Sequence, residues 1–170
     1  MEKIFGLHAC IAALNNQKRK IKFFYCTVDI FRKVKPLINL KHNLKICKII
    51  GRNEITKLTG ANNHQGIFIE ALQFHENLFN LRQIVEKNIV ILDNLSDHQN
   101  IGSIIRSAYL FGIKTILYYS NYNFNINSTL IKAASGAYEK INFIKVNNIN
   151  SIIKELKKKK LLGNCYRQRW

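Results

Sequence analysis

Apolar positions along the first 72 residues change their period several times. From Ala9 to Asn15 they recur at helical spacing, whereas Ile21–Thr27 (IKFFYCT) is a run of β-branched and aromatic residues that predicts a strand. A mixed stretch around Asp29–Leu40 holds the only proline, Pro36. Lys45–Ile50 predicts a second strand and Glu54–Leu58 a short helix. The polar turn Gly-Ala-Asn-Asn-His-Gln-Gly then leads into a third strand, Ile67–Leu72. Residues 73–87 are polar with scattered apolar positions and predict a linker, helical in part. A second pattern starts at Asn88. Its first strand, Ile89–Asp93 (IVILD), is apolar almost throughout, as expected of a strand covered on both faces. A loop and a helix follow, then a strand at Lys114–Tyr119, a helix near Ser128–Ala134, a strand at Ile141–Val146 and a helix near Ile149–Lys160. Strands that alternate with helices predict a parallel sheet. The expected fold class is α/β, with a small N-terminal α/β domain (1–72), a linker (73–87) and a parallel-sheet domain (88–170).

Composition narrows the function classes. Apolar residues make up 47% of the 170, enough for a real core, so disorder is not expected. No run approaches eighteen apolar residues, and the N-terminus lacks both a basic start and a small-residue cleavage site, so neither a membrane span nor a secretory signal is predicted. Cys10, Cys26, Cys47 and Cys165 are too far apart in sequence to form a metal-binding pair. Reduced thiols in a cytoplasm, with no metal, are the expectation. The net charge of +17, from 27 basic and 10 acidic side chains, suits a polyanionic partner. An AT-rich coding bias would also yield the abundant Lys, Asn and Ile, so charge alone leaves both readings open. The surplus is spread out: residues 1–72 carry 13 basic and 4 acidic side chains, and residues 73–170 carry 14 and 6. The run Lys157–Lys160 reads as the solvated end of a helix.

The chemistry concentrates in Ile91–Leu117, ILDNLSDHQNIGSIIRSAYLFGIKTIL. Asn100 precedes an apolar face made of Ile101, Ile104, Ile105, Ala108 and Gly112, so a helix capped by Asn100 is predicted. Gly102, Ser103 and Arg106 then fall away from that face. A glycine in the first turn costs about 1 kcal/mol of helix stability relative to Ala, which makes sense where another backbone or a ligand approaches closely. A strand, a polar loop and a helix N-terminus also form a common ligand position in open α/β sheets. From spacing alone, Asn100 as a mere cap and Arg106 as a surface cation remain an alternative.

The pattern Asp93, Asp97, Asn100, Gly102, Arg106, Ala108, Phe111, Gly112 after a strand resembles the first signature motif of the SpoU branch of the SPOUT RNA methyltransferases. Phe5-Gly6-Leu7-His8-Ala9 with Ala12-Ala13-Leu14 resembles the entry to that family's accessory RNA-binding domain, and His64-Gln65-Gly66-Ile67 its closing strand. Ser135-Gly136-Ala137 is similar to a further recurrent feature. The likeness runs from about Ile4 to Gly163. It implies an α/β-knot domain that works as a homodimer and methylates a ribose 2′-OH of ribosomal or transfer RNA with S-adenosylmethionine. Members with this accessory domain most often act on a guanosine of large-subunit ribosomal RNA.

Carried onto this chain, the resemblance implies Asn100 and Arg106 as catalytic residues and His64, Gln65 and Arg106 as RNA-binding ones. A guanidinium is a poor free base at neutral pH. Arg106 is therefore expected to anchor phosphate and stabilise the developing alkoxide, with Asn100 orienting it or the ribose hydroxyl. Ser103 is a weaker candidate. His64 is expected in a turn or facing RNA, and His98 in loop structure. The family's two later motifs, a glycine-rich loop with a glutamate and a Ser-Leu-Asn helix start, complete the knot and wrap the adenosine. Only seven residues follow Gly163, and at about 3.3–3.6 Å per residue they cannot supply both. The expectation is a domain incomplete at its C-terminus, with apolar surface left uncovered, an uncertain oligomeric state and no S-adenosylmethionine bound by these 170 residues. The alternative is a non-catalytic RNA-binding protein. A flavodoxin-like nucleotide enzyme fits worse, because Asn94–Gln99 contains no glycine.

Overall fold

Four strands pair in the first unit because each carries large apolar side chains to one or both faces. They are β1 (Glu2–Phe5), β2 (Ile21–Cys26), β3 (Cys47–Ile49) and β4 (Ile67–Ala71), in the order β1-β4-β2-β3. The computed structural model describes residues 1–38, 46–74, 88–121 and 124–158. Strand β4 runs antiparallel to β1 and β2, while β2 and β3 are parallel. Ile67 and Ile69 of β4 face helix α1 (Leu7–Asn15), which buries Ala9, Cys10 and Ala13 in the same cluster. The alternate residue Phe68 faces the other way and packs with Phe5 and with Ile55 of α3 (Arg52–Thr59). The mixed stretch resolves into α2 (Val28–Val34) and a 3-10 turn, Lys35–Leu37, that accommodates Pro36 at its start. Leu40, Lys45 and residues 75–87 of the expected linker lie outside the described residues.

The second unit is the predicted parallel sheet, with β5 (Ile89–Asp93), β6 (Thr115–Tyr119) and β7 (Asn142–Lys145) in sequence order. Ile91, Leu117 and Ile144 lie in register across it. Helix α4 (His98–Leu110) covers one face through Ile101, Ile105 and Ala108, together with α5 (Ser128–Ala133). Helix α6 (Ile149–Lys158) covers the other, burying Ile152 and Leu156 against Leu117 and Ile144. The expectation that β5 is buried on both faces does not hold. Ile89, Val90 and Ile91 are only partly buried, because β6 is β5's one sheet neighbour among the described residues. The central strand β6 is the one buried nearly throughout. Residues 159 and 160 of the expected last helix, Gly163 and Cys165 lie outside the described residues. Tyr109, Leu110 and Phe111 expose 44%, 75% and 82% of their surface, a large apolar patch at the end of α4.

The two units share one core, since Ile4, Ala13 and Ala71 belong to the same buried cluster as Leu130, Ala134 and Tyr138. At Gly136 (φ 90°) an added Cβ would sit 2.9 Å from Ala12 Cβ and 3.1 Å from His8 O, so only glycine lets the second unit meet α1 this closely. A buried ionic cluster crosses the same boundary. Arg19 of the first unit pairs with Glu2, and its Nε lies 3.5 Å from Glu139 Oε1 of the second. Asn16 Nδ2 donates to Glu139 Oε2 (2.8 Å), and Tyr138 OH donates to Glu2 Oε1 (3.3 Å). Burial pushes the Glu139 carboxyl up, and the Arg19 guanidinium opposes that shift.

Candidate functional site

Helix α4 begins one turn earlier than its apolar face suggested. Its cap is Asp97 rather than Asn100: Asp97 Oδ1 accepts from Gln99 N (2.7 Å) and Asn100 N (3.1 Å). A carboxylate there also complements the positive end of the helix. Asn100 is thus a first-turn residue and is exposed. Gly102 was expected on the outer side and is buried instead. A Cβ added to it would lie 2.5 Å from Leu130 O and 2.6 Å from Ala133 Cβ. The glycine is there for close approach, and the partner is the α5 backbone. Ser103 is exposed, its hydroxyl donating back to Gln99 O.

That helix contact places Arg106 in a cavity of about 610 Å³ between the two units. One wall is the stretch Thr59, Gly60, Ala61 and Asn63 of the first unit. The other is Gln99 and Arg106 from α4 with Ser128, Thr129, Lys132 and Ser135 from and after α5. Gln99 and Arg106 are seven residues apart, about two turns, and share a stripe. Asn100 and Arg106 are six apart, about 120° around the helix, and Asn100 is not among the described lining residues. The expected pair therefore does not share a wall. The sequence reading missed Lys132. Its Nζ donates to Asn63 O (2.9 Å) and lies 5.8 Å from the centre of the Phe5 ring, tying α5 to the first unit. The one signal available was its position as the sole cation between Lys114 and Lys140.

The other candidates have structural work. His64 is fully buried and cannot present its ring to RNA. Gly66 N donates to its Nδ1, and its Nε2 lies 3.0 Å from Thr56 Oγ1. Because Thr56 Oγ1 donates to Arg52 O, Nε2 carries the proton and the ring is neutral. Burial, and after it the Arg52 charge, lowers the His64 pKa. Gln65 is exposed, but its Oε1 accepts from Leu7 N (2.8 Å), satisfying an open donor at the start of α1. His98, expected in a loop, opens α4, stacks on Phe124 and reaches Asn125 O through Nε2 at 2.8 Å. Cys26 Sγ lies 3.8 Å from Cys47 Sγ, and burial first and then Cys47 push the Cys26 thiol up to about 12. Among the described residues no three His, Cys, Asp or Glu cluster as a metal site, and no helix is long and apolar enough to cross a membrane.

A mixed α/β unit followed by a parallel α/β unit has counterparts among known proteins. Residues 3–76 match the RNA 2′-O ribose methyltransferase substrate-binding domain, and residues 87–165 match the SpoU rRNA methylase family. The first half of the chain thus matches a substrate-binding model and the second half the SpoU rRNA methylase model. It is 27% identical over 165 residues to the 23S rRNA (guanosine-2′-O-)-methyltransferase RlmB of Pasteurella multocida, covering 93% of this chain and 67% of that one. It is 26% identical to an uncharacterized tRNA/rRNA methyltransferase of Haemophilus influenzae, covering 92% of this chain and 45% of that one. The fold matches the AdoMet-bound rRNA methyltransferase from Sinorhizobium meliloti with a TM-score of 0.68 at 21% identity, covering 92% of this chain and 57% of that one. The chain spans about half to two-thirds of the length of these proteins.

Proposed function

We propose that this chain provides the RNA-binding unit and the ribose-side half of the active site of a cytoplasmic 2′-O-methyltransferase acting on structured RNA, ribosomal RNA first. The observation that carries the reading is the position of Arg106, exposed on α4 in a cavity walled by both units. Methylation of an alcohol needs the oxygen aligned with the methyl group and its growing negative charge stabilised. A guanidinium offers a planar fork of donors that holds a phosphate and faces that charge at once. Asn100 lies about 120° around α4 from Arg106, outside the described lining, and would have to reach the ribose hydroxyl from beyond that wall. His64 and Gln65 serve RNA binding only indirectly, by fixing the turn that walls the cavity.

S-adenosylmethionine is the methyl donor this family implies. The described residues do not fit it: Asp93–Asp97, the loop at the carboxyl end of β5, is exposed residue by residue and offers no enclosed surface for an adenosine. No step is assigned through it. A polypeptide of residues 1–170 is expected to show no saturable heat with S-adenosylmethionine in calorimetry, and clear saturation would show that these 170 residues hold the cofactor after all.

The function is tested by joining these 170 residues to the C-terminal segment of the Pasteurella relative and supplying 23S rRNA with methyl-labelled S-adenosylmethionine. Label in a ribose 2′-O-methyl group supports the proposal. Arg106→Ala should then cut turnover by at least about 10²-fold, and Arg106→Lys should restore little of it. A folded, RNA-binding chimaera that transfers no label, or an Arg106→Ala form with normal turnover, overturns it.

A further inference from the structure

The cavity around Arg106 differs in chemistry from the cleft between the units at Glu139. No carboxylate occurs among its described lining residues, although a second inter-unit cavity of about 640 Å³ contains Glu139. It holds two cations, Arg106 and Lys132, set among amide and hydroxyl side chains such as Asn63, Gln99 and Thr129. Lys132 uses one ammonium hydrogen on Asn63 O and keeps two for a ligand. Its apolar stem passes beside Gly6, where an added Cβ would lie only 3.2 Å from Lys132 Cγ.

We propose that this groove is the track of a single RNA strand, with phosphate held by Lys132 and Arg106 and sugar and base edges met by Asn63, Gln99 and Thr129. The inference rests on the RNA-methyltransferase reading and adds to it the form of the substrate and the residues that hold it. A volume of about 610 Å³ lies in the range that encloses one small ligand, about the size of a nucleotide, and is far too small for a duplex. Cations flanked by amides and hydroxyls, without acids, suit a phosphodiester with its 2′-hydroxyls better than an apolar or basic partner. Unstacked nucleotides are also the form in which RNA exposes its edges to side chains. The groove is built before RNA arrives. The shared core, the Gly136 contact and the Arg19 cluster fix the two walls, so the 59–63 stretch acts as a standing wall of the nucleotide site.

The test uses the full 170-residue chain and fluorescence anisotropy with two probes: a short unstructured oligoribonucleotide and an RNA duplex of the same composition. Lys132→Glu and Thr129→Trp are compared with Lys154→Glu on α6, and each variant is melted to confirm folding. Thr129→Trp fills the groove from an exposed position and leaves the Lys132–Asn63 tie intact, so loss of fold is separable from loss of site. Both groove variants should weaken single-strand binding by about tenfold or more, and Lys132→Glu should reduce the log–log salt slope by about 0.7. Lys154→Glu should change the affinity by less than about twofold. Single-strand binding that survives both groove variants overturns the groove and leaves the RNA reading standing. Tighter binding of the duplex, equally impaired by Thr129→Trp, overturns the single-strand assignment. A wild-type chain that binds neither probe overturns both readings.

Discussion

Replacing Gly102 with alanine sets two opposite effects against each other in one helix. By intrinsic propensity the change should stabilise α4 by about 1 kcal/mol. Packing acts the other way. The new methyl would sit 2.5 Å from Leu130 O, 2.6 Å from Ala133 Cβ and 3.1 Å from Ala134 N, and two of these atoms are backbone that cannot rotate aside. Carbon contacts are comfortable at about 3.5–4.0 Å, so α4 and α5 must separate by about 1 Å. Overpacking of this kind costs about 1–3 kcal/mol, and here it opens a contact that also buries Ile101, Ile105 and Leu130. Because two of the clashing atoms are backbone, the cost falls at the upper end of that range, and the balance for Gly102→Ala is a net loss of up to about 2 kcal/mol, or up to about 4–8 °C in melting temperature for a chain of this length. Urea titration followed by circular dichroism gives the free energy, and a thermal melt checks it. RNA affinity should fall as well, because Arg106 and Lys132 lie on the two helices being pushed apart. A variant that melts higher than the parent would refute the reasoning. It would mean that α4 and α5 have room between them and that helix propensity alone governs the position.

His64 and Arg19 each give a further measurable consequence. His64 is held neutral and its pKa lies below the ordinary histidine value of 6.5. The unfolded chain therefore takes up this proton first on acidification, and the stabilisation present above about pH 6.5 is lost as pH falls through the folded pKa. Urea midpoints measured from pH 7.5 to 5 should drop more steeply for the parent than for His64→Gln, and parallel curves would contradict the assigned tautomer. Arg19→Met leaves Glu2 and Glu139 buried without a cation and should cost about 3–5 kcal/mol in chemical denaturation. Glu139→Gln keeps the arginine paired with Glu2 and should cost about 1 kcal/mol. Equal losses in the two variants would show that charge balance is not what the cluster provides.

Sequence periodicity carried the element order well because most elements bury one clear face. The alternation of Ile67, Phe68 and Ile69, and the 3.6-residue spacing of Ile101, Ile105 and Ala108, are local signals that survive into the structure. Strand β1 escaped notice because four residues are too few to show a period. Its identity comes from pairing Ile4 with Ile69, a partner distant in the chain. The cap of α4 was misplaced because Asp97 and Asn100 are both good caps, and only backbone geometry chooses between them. The first-turn glycine was correctly read as a point of close approach, yet it was placed on the outer side because the buried face is wider than the apolar stripe: Gly102 lies about 60° from Ile105, where α5 packs against α4. Arg106 was singled out by its motif, and the structure sets it in the wall of a cavity. Lys132 and the 59–63 wall were not, since nothing local marks side chains that meet across 69 residues.

The buried ionic cluster limits how this chain can be taken apart. Its cation and one acid come from the first unit, while the second acid and Tyr138 come from the other, with Asn16 reaching across 123 positions to Glu139. Cutting the chain into its two matched regions would give each piece a newly wet surface with half of a charge set on it. The N-terminal piece would show Arg19 and Glu2, and the C-terminal piece Glu139. Neither piece is then modular in the way a tethered bead is modular. Exchanging the substrate-binding unit with that of a relative means exchanging Glu2, Asn16 and Arg19 for whatever that relative pairs with its own second unit. Hybrids that ignore this join are expected to express poorly even when each half is well formed, and the fault should be repaired by grafting the residues at positions 2, 16, 19, 138 and 139 as one set.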